Sequence, residues 1–399
     1  MLIYHLVKLY NKIDPSDIFL TTNNSKNIDI MISKSLYYFL TKSKNQIDNN
    51  VEQWDYYKKI TNPYEFIHTP PFYNSQHAIA NYPAISRSFY KLIEIINYYS
   101  LLYQYKNNTI NTFHLAEGPG GFIEALIYCR NNNSFSKNDK YYGMTLQSDR
   151  KNIPKWRKLT DKFKNLKDNI TIENGRTGDG DILKGVNFTY CFEKYKNSMD
   201  FLTGDGGFDF SLNYEQQEIQ SLNLIYAQIM YAIIMQKEGG CFVLKIFDIF
   251  YKPSLELIYL LNCFYKNVSI CKPKTSRFAN SEKYIICKGF LFKDTSAYYD
   301  CFLQNFNRFS SDGAIESIFT TDIPLFFVQN IEEISAILGK KQLQSIHSTL
   351  MLIQEKKGDK IDKLRKINIE KCFSWCHHNN IPINNYFKHE NIFTKYSKR

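Results

Sequence analysis

Thr112-Phe113-His114-Leu115-Ala116-Glu117-Gly118-Pro119-Gly120-Gly121-Phe122 is the stretch that decides the fold. Thr112–Glu117 reads as a strand ending in an acid, and Phe122–Arg130 reads as a helix. A tight glycine turn between a strand and a helix lets a ligand approach the backbone closely. The turn lacks the Lys-Ser/Thr of a P-loop and the spacing of a dinucleotide fingerprint. Pro119 also removes an N–H that a pyrophosphate cradle would use. A cofactor without phosphates fits better, and Glu117 would sit beside its positively charged part. A structural turn with no ligand is the plain alternative.

Outward from this turn, residues 86–295 alternate short apolar runs with amphipathic stretches, the pattern of an α/β domain built on a parallel sheet. The expected strands are Thr112–Glu117, Tyr141–Leu146, Met199–Asp205, Cys241–Phe247, Val268–Lys272 and Lys283–Phe290. Glu215–Lys237 is the clearest helix, with Ile219, Leu222, Ile225, Ile229 and Ile233 on one stripe. Gly239-Gly240 is expected to end it. Residues 1–85 read as a helical or mixed extension, with helical spacing from Ile28 to Leu40. Residues 296–399 read as a mostly helical extension, with patches at Ile331–Leu338 and Leu343–Glu355. Clusters of Asn and Lys near 105–109, 131–140 and 150–169 read as surface loops.

The 399 residues are enough for a sizeable core, and 44% of them are hydrophobic. Lys plus Arg exceeds Asp plus Glu by 50 − 39 = 11, and 16% of the residues are aromatic. This balance suits a polyanionic partner, with exposed rings available for base stacking. A merely soluble basic surface would look the same. No charged segment followed by an apolar one opens the chain, and no run approaches the ~20 apolar residues that span a bilayer. The nine Cys show no framework and read as reduced thiols in a cytoplasmic setting. Cys372, Cys376, His377 and His378 crowd together, but not at a zinc spacing, and are expected on an ordinary helical surface.

Several motifs then carry a family resemblance. Glu117-Gly118-Pro119-Gly120-Gly121-Phe122 resembles motif I of the FtsJ/RrmJ-type 2′-O-ribose methyltransferases, and Ser86-Arg87-Ser88-Phe89-Tyr90-Lys91-Leu92 resembles their Ser-Arg-x-x-x-Lys-Leu segment. Tyr142–Leu146, Gly178–Ile182, Asp205-Gly206-Gly207-Phe208 and Phe242–Asp248 are similar to segments of eukaryotic mRNA cap methyltransferases. Lys272-Pro273-Lys274-Thr275-Ser276-Arg277-Phe278-Ala279-Asn280-Ser281-Glu282-Lys283-Tyr284 is the most specific. It resembles the cap-enzyme pattern Lys-Pro-x-Thr-Ser-Arg-x-Ala-Asn-Ser-Glu-x-Tyr. The tail 370–382 resembles the same enzymes weakly. Many members carry Asp at the motif I acid where this chain keeps a carboxylate as Glu117.

The resemblance implies a Rossmann-like class I methyltransferase fold, a seven-stranded mostly parallel sheet flanked by helices. It implies S-adenosyl-L-methionine as cofactor, with Glu117, Gly118, Pro119, Gly120, Gly121, Phe122 and Asp205 around it. Asp181 is a candidate for the adenine amino group, though an Asx turn explains it nearly as well. The family's Lys-Asp-Lys-Glu tetrad falls on Lys91, Asp205, Lys245 and Glu282. A free Lys titrates at about 10.4, so Lys245 needs partial neutralisation to act as general base, with desolvation and Lys91 pushing that way. Any single Lys or Asp here is more often a surface charge. Lys245 is harder to dismiss, because it interrupts an apolar strand where an unpaired charge is costly. Arg87, Arg277, Asn280 and Ser281 are expected to meet the RNA.

The expected function is methylation of the first transcribed nucleotide of capped mRNA at its 2′-hydroxyl, with no metal. A ribosomal or transfer RNA enzyme on the same fold and an idle RNA-binding subunit are the alternatives. Capped mRNA is the expected partner, with other capping or transcription proteins as further candidates and no membrane. A virus replicating in the cytoplasm would account for the AT-rich coding bias together with a cap enzyme.

Overall fold

The computed structural model describes residues 1–9, 12–23, 28–72, 75–131, 133–147, 155–207, 216–308, 314–355 and 358–387. Residues 1–85 supply β1 (Leu2–His5), β2 (Ile18–Asn23), α1 (Lys34–Asp48) and α2 (Val51–Thr61). Next come α3 (Ser88–Tyr99), β3 (Asn111–Leu115), α4 (Gly121–Arg130), β4 (Lys140–Met144), α5 (Arg157–Lys162), β5 (Ile170–Glu173), α6 (Gly185–Tyr195) and β6 (Met199–Gly204). Then follow α7 (Gln217–Met235), β7 (Gln236–Ile246), α8 (Lys252–Phe264), β8 (Tyr265–Lys272) and β9 (Lys283–Phe290). The remainder is α9 (Tyr299–Arg308), β10 (Ala314–Phe319), α10 (Leu325–Glu355) and α11 (Gly358–His378).

One eight-stranded sheet carries the order β1-β8-β9-β7-β6-β3-β4-β5. Strands β3 to β7 are mutually parallel, whereas β9 runs against β7 and β8, and β1 against β8. The expected mostly parallel α/β sheet is therefore present, with β1 as an extra edge strand from the N-terminal segment. Period-two alternation explains how the sheet is covered. Phe113, Leu115, Leu202, Phe242 and Leu244 face one core with α6, α7 and α8. Phe201, Cys241, Val243 and Ile286 face the other, with α3, α4 and α11. Helix α7 is buried on nearly all sides, matching its apolar composition.

Several boundaries differ from the sequence reading. Helix α7 ends at Met235, not at Gly239-Gly240, and the chain passes directly into β7. Gln236 anchors that change by donating to Met199 O at 3.0 Å and accepting from Tyr265 Oη at 2.9 Å. Gly239, at φ 80°, lies instead in the irregular pairing of β7 with β6 between Met199 and Phe201. The expected start at Glu215 and the motif residue Phe208 lie outside the described residues. The helical spacing of Ile28–Leu40 overstates the helix start, since Ile30 bridges Tyr251 and α1 begins at Lys34. The two C-terminal patches form one helix, α10. Part of the expected loop 150–169 is α5, whose Leu159 is buried against Gly120, while 150–154 lie outside the described residues. Cys372, Trp375 and Cys376 form the buried face of α11, so half of the Cys/His cluster is core rather than surface. The flanks also join each other: β2 pairs with β10, and α10 packs on α1 and α2.

Candidate active site

Strand order places the site. From β3 the chain winds outward through β4 and β5, then returns to β6 on the other side of β3. Ligands bind at such a switch point, at the carboxyl ends of the strands. Leu115 pairs with Gly204 and Gly204 with Leu244, so the next residues, Asp205 and Lys245, stand at one level. Tyr284 is paired directly with Lys245 on the antiparallel neighbour, which brings the preceding Glu282 to the same end. Lys91 enters from the first turn of α3.

The four residues meet as two ion pairs. Lys91 Nζ lies 2.8 Å from the Glu282 carboxylate. Lys245 Nζ lies 3.0 Å from Asp205 Oδ1 and donates to the Asp205 carbonyl at 2.6 Å. The buried Tyr284 hydroxyl stands between the pairs, 3.5 Å from Asp205 Oδ1 and 3.4 Å from Glu282 Oε1. Burial opposes the charge of Glu282, yet Lys91 and Lys245 beside it hold its carboxyl at about 2. The cluster is neutral overall and nearly desolvated, an arrangement that keeps each charge paired.

Glu117 lies just past β3 and is buried. Its Oε1 accepts the Phe122 N–H, while Oε2 has no hydrogen-bond partner. His114 Nδ1 is 3.9 Å from Oε2. Burial lowers the His114 ring to about 3 and raises the Glu117 carboxyl far above the usual carboxylate range. A buried acceptor without a donor is costly, so this oxygen fits a cationic ligand at the switch point. Gly120 makes the turn possible at φ 105°, and a side chain there would strike Leu159 at 2.9 Å. At Gly121 a Cβ would strike the Ser86 and Ser88 hydroxyls, so any side chain there would displace both serines at the start of α3. Gly118 and Pro119 complete the turn, and Phe122 is buried beneath it with its ring 6.2 Å from that of Tyr284. Asp181 Oδ1 accepts from Leu183 N at 3.0 Å, the Asx-type turn that was its plainer reading.

The loop 273–282 borders a cleft of about 400 Å³, lined also by Lys44, Trp54, Lys58, Lys245, Phe247 and Gln342. Arg277, Asn280 and Ser281 all line it. Asn280 accepts from Lys272 Nζ through both its carbonyl (2.7 Å) and Oδ1 (3.0 Å), and Ser281 Oγ donates to Gln217 Oε1 at 2.5 Å. Arg87 lies apart from this cleft and lines a neighbouring cavity of about 530 Å³. Three positioning groups escaped the sequence reading. Lys272 also donates to Glu282 O at 2.7 Å, so it ties both ends of the loop together. Burial lowers its ammonium to about 7. Tyr284 joins the ion pairs. Glu65 holds Arg277 and Arg87. The first two stood inside the quoted motif; Glu65 had no local signal.

The FtsJ-like methyltransferase family model matches residues 84–290, half of the chain, and the chain belongs to this family. Among curated relatives, cap-specific mRNA (nucleoside-2′-O-)-methyltransferase 2 of Pongo abelii is 26% identical over 374 residues, covering 90% of this chain and 46% of that protein. Cap-specific mRNA (nucleoside-2′-O-)-methyltransferase 1 of Homo sapiens is 36% identical over 181 residues, 43% of this chain and 20% of that protein. The protein so named from Trypanosoma brucei brucei is 30% identical over 194 residues, 46% of this chain and 50% of its own length. The chain thus spans about half or less of the length of these relatives.

Proposed function

We propose that the protein methylates the 2′-hydroxyl of the first transcribed nucleotide of capped mRNA, using S-adenosylmethionine. The observation that carries this reading is the pairing of Lys91 with Glu282 and of Lys245 with Asp205 at the switch point, beside a cleft edged by cations and rings. When bound, S-adenosylmethionine supplies a methyl group on a sulfonium. Glu117 would hold the cationic end of that ligand with its unpartnered oxygen. Lys245, the lysine that the Asp205 pair holds at the strand end, would accept the proton of the 2′-hydroxyl as that oxygen becomes the nucleophile. Asp205 holds Lys245 through two contacts, and Lys91, braced by Glu282, stabilises the developing oxyanion. Alignment of the reactants supplies much of the remaining rate.

The names of the relatives support capped mRNA as the substrate. So do Arg277, whose carboxylate partner Glu65 is shared with Arg87, and the rings Trp54 and Phe278 around the cleft, which suit phosphates and bases. The test supplies capped and uncapped RNA with labelled cofactor and maps the modified nucleotide. Label on the first transcribed nucleotide of capped RNA is expected. Equal label on uncapped RNA defeats the cap assignment and leaves the ribose chemistry standing.

A further inference from the structure

We propose that Glu65 is a positioning residue for RNA binding, acting through Arg277 and Arg87. The inference rests on the functional reading above and concerns a residue outside the segment matched to the family. Glu65 sits on the 3-10 turn Glu65–Ile67, after α2, and is completely buried. Arg277 approaches it as a fork, with Nε 2.9 Å from Oε2 and Nη2 2.5 Å from Oε1. Arg87 Nη2 lies 3.5 Å from Oε2. Asn62 Nδ2 donates to Oε2 at 2.7 Å and Thr69 Oγ1 to Oε1 at 3.3 Å, so the carboxylate itself is fixed. Burial disfavours its charge, but the Arg277 hydrogen bond and the Arg87 charge hold it at about 2.

The geometry has two consequences. Two guanidiniums share one carboxylate, so a single positive charge is left over. That charge faces solvent through side chains 22% and 32% exposed, one on the cleft beside Lys245 and one on the adjoining cavity. Arg87 reaches Glu65 through Nη2 alone, at 3.5 Å, a looser contact than the Arg277 fork. Second, a fork gripped from behind has already lost its rotamer freedom, and an arginine held in place binds a phosphate at lower entropic cost than a free one. Glu65 also screens the repulsion between the two arginines in a poorly solvated setting. Its influence therefore falls on the grip of the RNA, while bond making takes place at Lys245.

The experiment measures KM and kcat for capped RNA with wild type, Glu65→Gln, Arg277→Lys and the double variant, along with cofactor affinity and melting temperature. Glu65→Gln keeps the shape and removes the charge. A rise in KM of about tenfold is expected, with kcat changed by less than about twofold, as for loss of a binding interaction not specific to the transition state. Cofactor affinity stays at the wild-type value. Arg277→Lys keeps the charge and loses the fork, so the double variant is expected to lose less than the product of the two single losses, the remainder acting through Arg87. Losses that multiply in full, or an unchanged KM in a folded Glu65→Gln, overturn the proposal. Should Glu65→Gln melt below assay temperature, Glu65→Asp, which keeps the charge, must restore folding with a KM between those of wild type and Arg277→Lys; a wild-type KM overturns the proposal. Failure of the wild type to methylate RNA would instead sink the functional reading.

Discussion

The tetrad and the Glu65 cluster are built from the same materials and balanced differently. At the tetrad two lysines face two carboxylates and the sum is zero. At Glu65 two arginines face one carboxylate and the sum is positive. The first is set by strand register, with Lys245 opposite Tyr284 and Asp205 beside it. The second is assembled from a turn after α2, the start of α3 and the loop before β9. The difference separates two tasks. On the proposed reading, the neutral, mostly buried cluster handles the proton of the reacting hydroxyl, whereas the residual cation meets an anionic chain. Charge balance, more than residue type, distinguishes chemistry from grip.

The largest effect tests the neutral cluster. Lys245→Ala is expected to lower methyl transfer by at least about 10³-fold, within the span of general acid–base losses and the lost partner of Asp205. Cofactor affinity, measured by calorimetry, stays near wild type because Glu117 and the glycine turn are untouched. Retained turnover would break the assignment of Lys245 as base, and with it the division of tasks.

Arg277→Gln tests the cationic cluster. RNA affinity is expected to fall roughly tenfold at low salt. The slope of log affinity against log salt should become shallower by about 0.7–0.9, the value for one lost phosphate contact. An unchanged slope would mean that Arg277 braces Glu65 and touches no phosphate.

Both clusters were unequally legible in the sequence. Lys245 announced itself, because a cation inside the apolar run Cys241–Phe247 demands a partner or a role. The glycine turn, α7 and the central strands were equally plain, since buried parallel strands are continuous apolar runs. Edge and flank strands were not. β1, β2 and β10 are only four to six residues long, and β5 is half exposed, so none carries a strong pattern. Glu65 was invisible for a different reason. Its partner Arg277 is 212 residues away, and the local sequence Asn62-Pro63 reads as a break. A buried acid is recognised only when the chain has folded around it.

Acid titration probes a property the clusters share. The carboxyls of Glu65 and Glu282 are both held at about 2, below their unfolded range near 4.5. A depressed carboxyl stabilises the fold fully above its unfolded value and loses that contribution as pH falls toward the folded value. Melting temperature is therefore expected to fall between about pH 4.5 and 2, and less steeply in Glu65→Gln, which has one such group fewer. Identical acid slopes for wild type and variant would show that Glu65 does not carry its charge in the folded protein.

The smallest effect concerns Ser281, which the motif placed against the RNA. Its hydroxyl is buried and donates to Gln217 Oε1, fastening the loop to the start of α7. Removal of that hydroxyl costs one neutral hydrogen bond, about 1 kcal/mol of stability. It leaves Arg277 and the ion pairs in place. Ser281→Ala is thus expected to lower the melting temperature by a few degrees, about 2–4 °C, and to change KM for RNA by less than about twofold. A rise in KM comparable with that of Arg277→Gln, at unchanged stability, would move Ser281 from the frame of the loop to the surface that touches RNA. The grip would then extend along the loop from Arg277 almost to Glu282, and the boundary between the cationic and neutral clusters would have to be redrawn.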